Sequence, residues 1–403
     1  MSNMLKGWVE ISLGELVKIG RGSSPRPIHD YLSETGIPWV KIADATASNT
    51  RFINQTKQFI REEGRSTSVS PGDLIVSNSA TPGIPKIMGI NACVHDGWLI
   101  FDEYKNIDKW FLFYFFLYYR KRLDHSASGS VFKNLKIDIV NNVQINLPPI
   151  NEQKAIASVL SSLDSKIDLL RRQNLTLENI AQTLFKRWFI DFEFPDKNGN
   201  PYKSSGGKMV ESELGEIPEG WESGKVHEEF NITMGQSPPG TSYNEIGEGT
   251  VFFQGRTDFG YRFPTERLYT TDAKRMAKKF DTLLSVRAPV GDINMALSDC
   301  CIGRGLAAIT GGNSSYTYHK AKSLKPCFDV FESEGTVFGS INQVGLKNID
   351  VVIPPKDIST QYGNISSKFD SKIYVNSKEI QTLTKTRDIL LPKLMSGQIR
   401  VKD

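Results

Sequence analysis

The chain of 403 residues has only four cysteines (Cys93, Cys300, Cys301 and Cys327) and five scattered histidines. With no C-x-x-C spacing, a zinc site is not expected, and so few cysteines make no disulfide framework. Long apolar runs are also missing. The strongest, Trp110 to Tyr119, is half of the roughly 20 residues that a bilayer crossing requires, and reads as a buried helix ending at Arg120-Lys121-Arg122. No membrane role is expected. Nor does one sign of charge prevail: 49 Lys and Arg stand against 45 Asp and Glu, a formal net charge of +4. That balance permits a nucleic-acid partner without demanding one. The N-terminal MSNMLKGWVE lacks the apolar core of a signal peptide, so a cytoplasmic protein is expected.

Catalytic motifs are absent too. There is no G-x-x-x-x-G-K-S/T loop for a phosphate, no H-E-x-x-H and no G-x-S-x-G elbow. Leu147-Pro148-Pro149-Ile150 only superficially resembles the Asn-Pro-Pro-aromatic loop that grips a flipped adenine. Pro195-Asp196 with Asp272-Ala273-Lys274 is the sort of acidic and lysine combination that arises by chance in a chain with 23% charged residues. No catalytic residue, no metal ligand and no cofactor are therefore expected in this chain.

What is there is written twice. SGSVFKNLKIDIVNNVQINLPP, residues 128–149, aligns without a gap to EGTVFGSINQVGLKNIDVVIPP, residues 334–355. Gly129 meets Gly335, Phe132 meets Phe338, Leu135 meets Ile341 and Asn142 meets Asn348, and both copies end on Pro-Pro. Gly7-Trp8 recurs as Gly220-Trp221, GSSP (Gly22 to Pro25) as GQSP (Gly235 to Pro238), and GDLIVSNSATPG (Gly72 to Gly83) as FDTLLSVRAPVG (Phe280 to Gly291). The offset drifts slightly, as it does when loops change length around a fixed framework. A chain this long exceeds one hydrophobic core, so two related domains are expected, at 1–149 and 217–355. Short β-branched and aromatic runs such as IPWVKIAD and DLIVSNS, broken by Gly, Pro, Asn and Ser, predict mixed α/β domains in which strands predominate.

Each domain leads into a helix, at 150–190 and 356–403. Ile156, Leu160, Leu163, Ile167, Leu170, Asn174, Leu177, Ala181, Leu184 and Trp188 follow one another by alternating steps of four and three, which is a heptad seam. The second copy runs Tyr362, Ser366, Phe369, Ile373, Asn376, Ile380, Leu383, Arg387, Leu390 and Leu394, with Ser366, Asn376 and Arg387 as flaws. Two such helices bury their seams best against each other, and a seam of this length predicts a stiff spacer of about 50 Å. The period leaves their relative direction open. The stretch DFEFPDKNGNPYKSSGGKMVESELGEIPEG, spanning the connector at 191–216, is aperiodic and rich in Pro, Gly and Ser, and is expected to run over the surface.

The polar residues of the domain loops are the candidate contacts for a partner. In the first domain they are Arg21, Ser23, Ser24, Arg26, Lys41, Asn78, Ser79, Thr81, Lys133 and Asn134. In the second they are Gln236, Ser237, Gln254, Arg256, Thr257, Arg287, Arg304, Ser340 and Asn342. Arg, Lys, Asn and Gln pair bidentately with purine edges, and Ser and Thr hold phosphates.

LPPINEQKAIASVLSSLDSKIDLLRRQNLTLENIAQTLFKRWFIDFEFP, together with PYKSSGGKMVESELGEIPEGW and the GSSP/GQSP repeat, resembles the specificity subunit of type I restriction-modification enzymes over essentially the whole chain. That resemblance implies an α+β fold: two β-rich target recognition domains, related by an internal pseudo-twofold repeat and separated by a pair of long antiparallel coiled-coil helices. It implies a non-catalytic subunit that binds double-stranded DNA, reads a bipartite asymmetric site and directs adenine methylation and restriction. The implied partners are two methylation subunits and restriction subunits, with S-adenosylmethionine, ATP and Mg on those partners. A coiled-coil coupling protein or a standalone DNA-binding regulator are the alternatives. The second helix lacks the Glu152-Gln153 pair of the first, so a weaker contact with a methylation subunit is expected there.

Overall fold

A computed structural model of the chain describes residues 7–125, 135–287, 289–333 and 339–401. The chain forms two compact units, Met1–Arg172 with Ser377–Asp403, and Gln173–Asn376. The division falls inside both long helices rather than at their ends, so each unit is one domain plus a segment of each helix.

In the first unit, strand Val9–Ser12 pairs antiparallel with Gln144–Leu147, so the domain opens and closes on one hairpin-like pair. Between these strands lie two five-stranded sheets. One runs Lys18–Arg21, Trp98–Asp102, Leu74–Ser77, Pro85–Met88 and Phe52–Ile53; the other runs Leu32–Ser33, Gln58–Ile60, Ile37–Val40, Ala92–Val94 and Ser68–Val69. Leu74–Ser77 is buried along its whole length, which is why Leu74, Ile75 and Val76 form a continuous apolar run and not an alternation. The aromatic helix Lys109–His125 packs on the first sheet with Phe111, Leu112 and Tyr114 inaccessible. It continues past Arg120 to His125, so that basic triplet does not end it.

The second unit repeats the plan. Glu222–Lys225 pairs with Asp350–Ile353, and a four-stranded sheet (Asn231–Met234, Leu306–Thr310, Thr282–Ser285, Ile293–Met295) accompanies a five-stranded one containing Thr250–Phe253 and Cys300–Ile302. Even the parallel pair recurs: Trp39 faces Cys93 in one domain and Phe252 faces Cys301 in the other. The connector is more than a tether. Phe194 is buried, stacks on Tyr202 at 4.6 Å and lies 5.2 Å from Trp221, while Met209–Ser212 and Gly215–Pro218 form a small hairpin. Two aromatics around a tight turn leave no periodic trace, so this local fold was invisible to pattern reading. The Asp196 carboxylate accepts the backbone N–H groups of Asn198 and Asn200, each at 2.8 Å, which makes it a turn residue.

The helices Ile150–Phe189 and Lys356–Met395 are 40 residues each. In the first unit Lys166 pairs with Glu379 at 3.4 Å and Arg387 donates to Asp164 at 2.8 Å, and in the second the Tyr362 hydroxyl donates to the Ala181 carbonyl at 3.0 Å and Asn376 donates to Asn174 at 2.9 Å. Within each unit the two segments are therefore antiparallel. Ile156, Leu160, Ile167, Leu170 and Ile373 are buried in this packing; Leu163, Leu177, Leu184, Phe369, Ile380, Leu383 and Leu390 are half-buried. Two of the apparent flaws in the second seam are partners for polar groups of the first helix: Asn376 for Asn174 and Arg387 for Asp164. A buried amide pair fixes register at some cost in stability. Replacing Asn376 alone by Leu leaves the Asn174 amide facing a methyl group and should cost about 1–3 kcal/mol, whereas Leu at both positions should be neutral or stabilising. Urea unfolding of the two variants checks this; a double variant weaker than the single one would contradict it.

Glu152 and Gln153 also look inward. Both are buried, with Glu152 accepting from the Trp8 indole at 3.1 Å and from Arg400 at 2.7 Å. Gln153 bridges the Asp108 N–H at 2.8 Å and the Asn106 and Pro148 carbonyls at 3.0 and 2.9 Å. The pair clamps the first domain to its helix. The second helix lacks this pair, and there Trp221 and Ile358 pack in an apolar cluster instead.

Candidate nucleic-acid interface

The parallel pairing of Ile37–Val40 with Ala92–Val94 makes both strands end at one edge of the first domain, so Lys41 and the turn His95-Asp96-Gly97 emerge together. The loop after Lys18–Arg21 is drawn onto that turn, with Gly22 N–H donating to the Trp98 carbonyl at 2.9 Å and Ser23 N–H to the Val94 carbonyl at 3.2 Å. A Cβ at Gly22 would collide with the His95 carbonyl, so only glycine lets the loop lie so close. Gly235 meets Gly303 in the same way in the second domain, which explains the shared first letter of GSSP and GQSP.

Asp96 is the hub of this edge. Its carboxylate accepts the Ser24 hydroxyl at 3.0 Å and lies 3.7 Å from the Arg26 guanidinium, while its carbonyl accepts Arg21 Nε at 2.8 Å and the Asn78 amide at 3.1 Å. Burial opposes its charge, but Ser24, His95 and Arg21 hold its pKa below the usual carboxylate value. Burial pushes the pKa of the His95 ring below its ordinary value, against the pull of Asp96. Lys41 donates to the Gln58 side-chain oxygen at 3.0 Å. Pro25, Arg26, Trp39, Lys41, Gln58 and His95 surround a cavity of about 810 Å³.

Arg21, Ser23, Arg26 and Lys41 are exposed, and Ser24, Ser79 and Thr81 are half-exposed. Asn78 is buried and its amide braces the Asp96 turn, so it is a positioning residue. Lys133 and Asn134, like Phe132 and Phe338, lie outside the described residues. In the second domain Gln236 and Ser237 follow Asn231–Met234, Gln254, Arg256 and Thr257 follow Thr250–Phe253, and Arg304 sits in the turn before Leu306–Thr310. All are exposed except Ser237, which is half-buried and accepts the Arg304 backbone N–H at 3.2 Å. Arg256 is paired with Asp292. Arg287 and Ser340 are exposed and face each other across a backbone bridge. The Asn342 oxygen accepts Gly345 N–H at 2.8 Å, capping the helix Gln343–Lys347.

Asp96 and Gln58 were not among the sequence candidates. Nothing near either residue in the chain marks it; only the strand pairing brings Asp96 to Ser24 and Gln58 to Lys41. Among the described residues no three metal-ligating side chains gather, and no helix is long and apolar enough to cross a membrane.

A duplicated β-rich domain with a polar loop edge and a paired helix segment in each copy is the build of a DNA specificity protein. Residues 5–179 match the family model for the type I restriction modification DNA specificity domain. A putative type I restriction enzyme specificity subunit, MjaX, of Methanocaldococcus jannaschii is 34% identical over 305 residues, covering 72% of this chain and 68% of that protein. The MjaIX specificity subunit of the same organism is 25% identical, covering 99% and 95%. The crystal structure of the S subunit of the type I restriction-modification system from M. genitalium, 16% identical, superposes with a TM-score of 0.60 over 98% of this chain and 97% of that one. This chain belongs to the specificity subunits of type I restriction enzymes.

Proposed function

We propose that the chain is the non-catalytic, sequence-reading subunit of its restriction-modification complex, each domain reading one half of a bipartite asymmetric double-stranded DNA site. The observation that carries this is one framework bearing two sets of polar residues: Lys41 and Gln254 each directly follow the matching strand, and Asp96 and Arg304 occupy the matching turn. A shared frame means a shared docking mode; different side chains mean different bases. Two methylation subunits dock on the helices, and restriction subunits join them. The helices leave Leu169, Leu175, Ile180, Val375 and Ile389 exposed, apolar area suited to such docking. S-adenosylmethionine, ATP and Mg bind on those partners, and adenine is the methylated base.

With 49 basic against 45 acidic side chains, the chain alone neutralises few phosphates, and affinity falls with salt in proportion to phosphates contacted. Titrations of DNA across a salt series should therefore show weak binding and a shallow slope for the chain alone. Its complex with methylation subunits should bind tightly with a steep slope. Equal affinities and slopes would refute the partnership.

A further inference from the structure

We propose that the first domain reads a guanine through Arg26, held in its reading position by Asp96; this rests on the DNA-reading function above. The two domains supply the comparison. Arg26 follows GSSP where Pro239 follows GQSP, and Asp96 lies in the turn where the second domain has Arg304. The serine between them persists in both copies. Ser24 donates its hydroxyl to the Asp96 carboxylate at 3.0 Å, and Ser237 accepts the Arg304 N–H at 3.2 Å. The frame is kept while the charge at the turn is inverted, and the exposed arginine moves from the loop to the turn. Positions 26 and 96 thus both differ between the two copies of a shared scaffold, as positions that read different bases would.

The chemistry of the pair separates a base contact from a phosphate contact. Arg26 is 82% exposed, and the Asp96 carboxylate stands 3.7 Å from its guanidinium. A carboxylate so close repels a phosphate and weakens the pull of the arginine on the DNA backbone. It leaves the outward N–H groups of a planar fork directed, which is what the O6 and N7 acceptors of guanine require. Pro25 and Pro27 on either side restrict the loop, so less freedom is lost when the fork engages.

The test expresses the chain with its methylation subunits and maps the methylated sequence by modification-sensitive sequencing, for the native chain and for Arg26→Ala and Arg26→Lys. The native motif should contain a guanine in one half-site whose replacement lowers methylation about ten- to a hundredfold. Arg26→Ala should abolish that preference at this one position, with every other position unchanged. Arg26→Lys keeps the charge without the fork and should relax the same position. Unchanged discrimination in both variants would overturn the guanine assignment, as would a uniform loss of binding to all sequences with a shallower salt slope, the mark of a phosphate contact. In those cases the native chain still yields a bipartite motif. A native complex that methylates no defined sequence defeats the reading function itself.

Discussion

Arg262→Met should cost the protein about 3–5 kcal/mol of stability, the penalty for removing one partner from a buried ion cluster. Arg262 is 1% exposed. It donates to Glu178 of the central helix at 2.6 Å and to Asp370 of the C-terminal helix, and it lies over the Tyr318 ring at 3.5 Å. One side chain of the second domain thus ties together both helix segments of its unit. Burial resists the Glu178 charge, yet Arg262 and Lys322 hold its pKa down to about 2, so it is ionised in the fold. Asp370 goes the other way, its pKa raised by burial despite Arg262 and the Ser315 hydroxyl. Two carboxylates therefore share one buried guanidinium; without it Asp370 loses its ion-pair partner and Glu178 is left with Lys322. Urea unfolding measures the loss; an unfolding free energy within about 1 kcal/mol of the native chain's would mean that water reaches the acids. Replacing Arg262, Glu178 and Asp370 together by apolar residues should recover much of the loss, because the desolvation penalty goes with the charges.

That cluster marks where the sequence stops being legible. The duplication, the buried aromatic helix and the heptad seam could be read because each leaves a local period, and a period reports which face is apolar. Ion pairing leaves none. Arg387 looked like a flaw in the seam because its partner, Asp164, stands on the other helix, far away in the chain. Glu178 is adjacent to the seam residue Leu177 and reads as a solvated position until Arg262 and Lys322 are placed against it. The loop edge shows the same limit. Ser24, Arg26 and Lys41 could be named from residue type alone, but Asp96, which organises them, is defined by its contacts. Asn78 was named for its type and is a brace, since burial, not chemistry, decides whether an amide reaches a partner molecule.

Exchanging residues 7–147 for the matching segment of a relative with a different target should rewrite one half of the methylated sequence and leave the other half intact. The geometry favours this boundary. Val9 pairs with Leu147 and Ser12 with Gln144, so both ends of the segment lie side by side in one antiparallel pair and the cut severs no internal sheet. Directly beyond it, Gln153 accepts the Asp108 N–H and donates to the Asn106 carbonyl, and Glu152 receives the Trp8 indole. A donor segment that keeps a tryptophan at position 8 therefore finds its seat ready; the Asp108 and Asn106 contacts use only backbone groups. The apolar seat is made of Ile156, Leu160, Leu391 and Leu394 on the two helices, all outside the exchanged segment, so the seam that holds the helices together is unaltered. Besides Tyr114, whose hydroxyl donates to Asp164 of the central helix at 2.8 Å, Arg51 is the contact to watch. Its guanidinium sits 3.4 Å from Asp168 and 2.9 Å from the Ser165 hydroxyl on the central helix, and it is exchanged with the segment. A donor lacking an arginine there leaves Asp168, whose pKa burial already raises, without that cation. Such a hybrid should keep its new half-site but unfold at a lower urea concentration, and restoring Arg51 should recover stability without touching the motif. The methylated motif, read by sequencing, decides the matter. A hybrid that alters both half-sites, or that keeps the native sequence in both, would show that the two domains do not read independently.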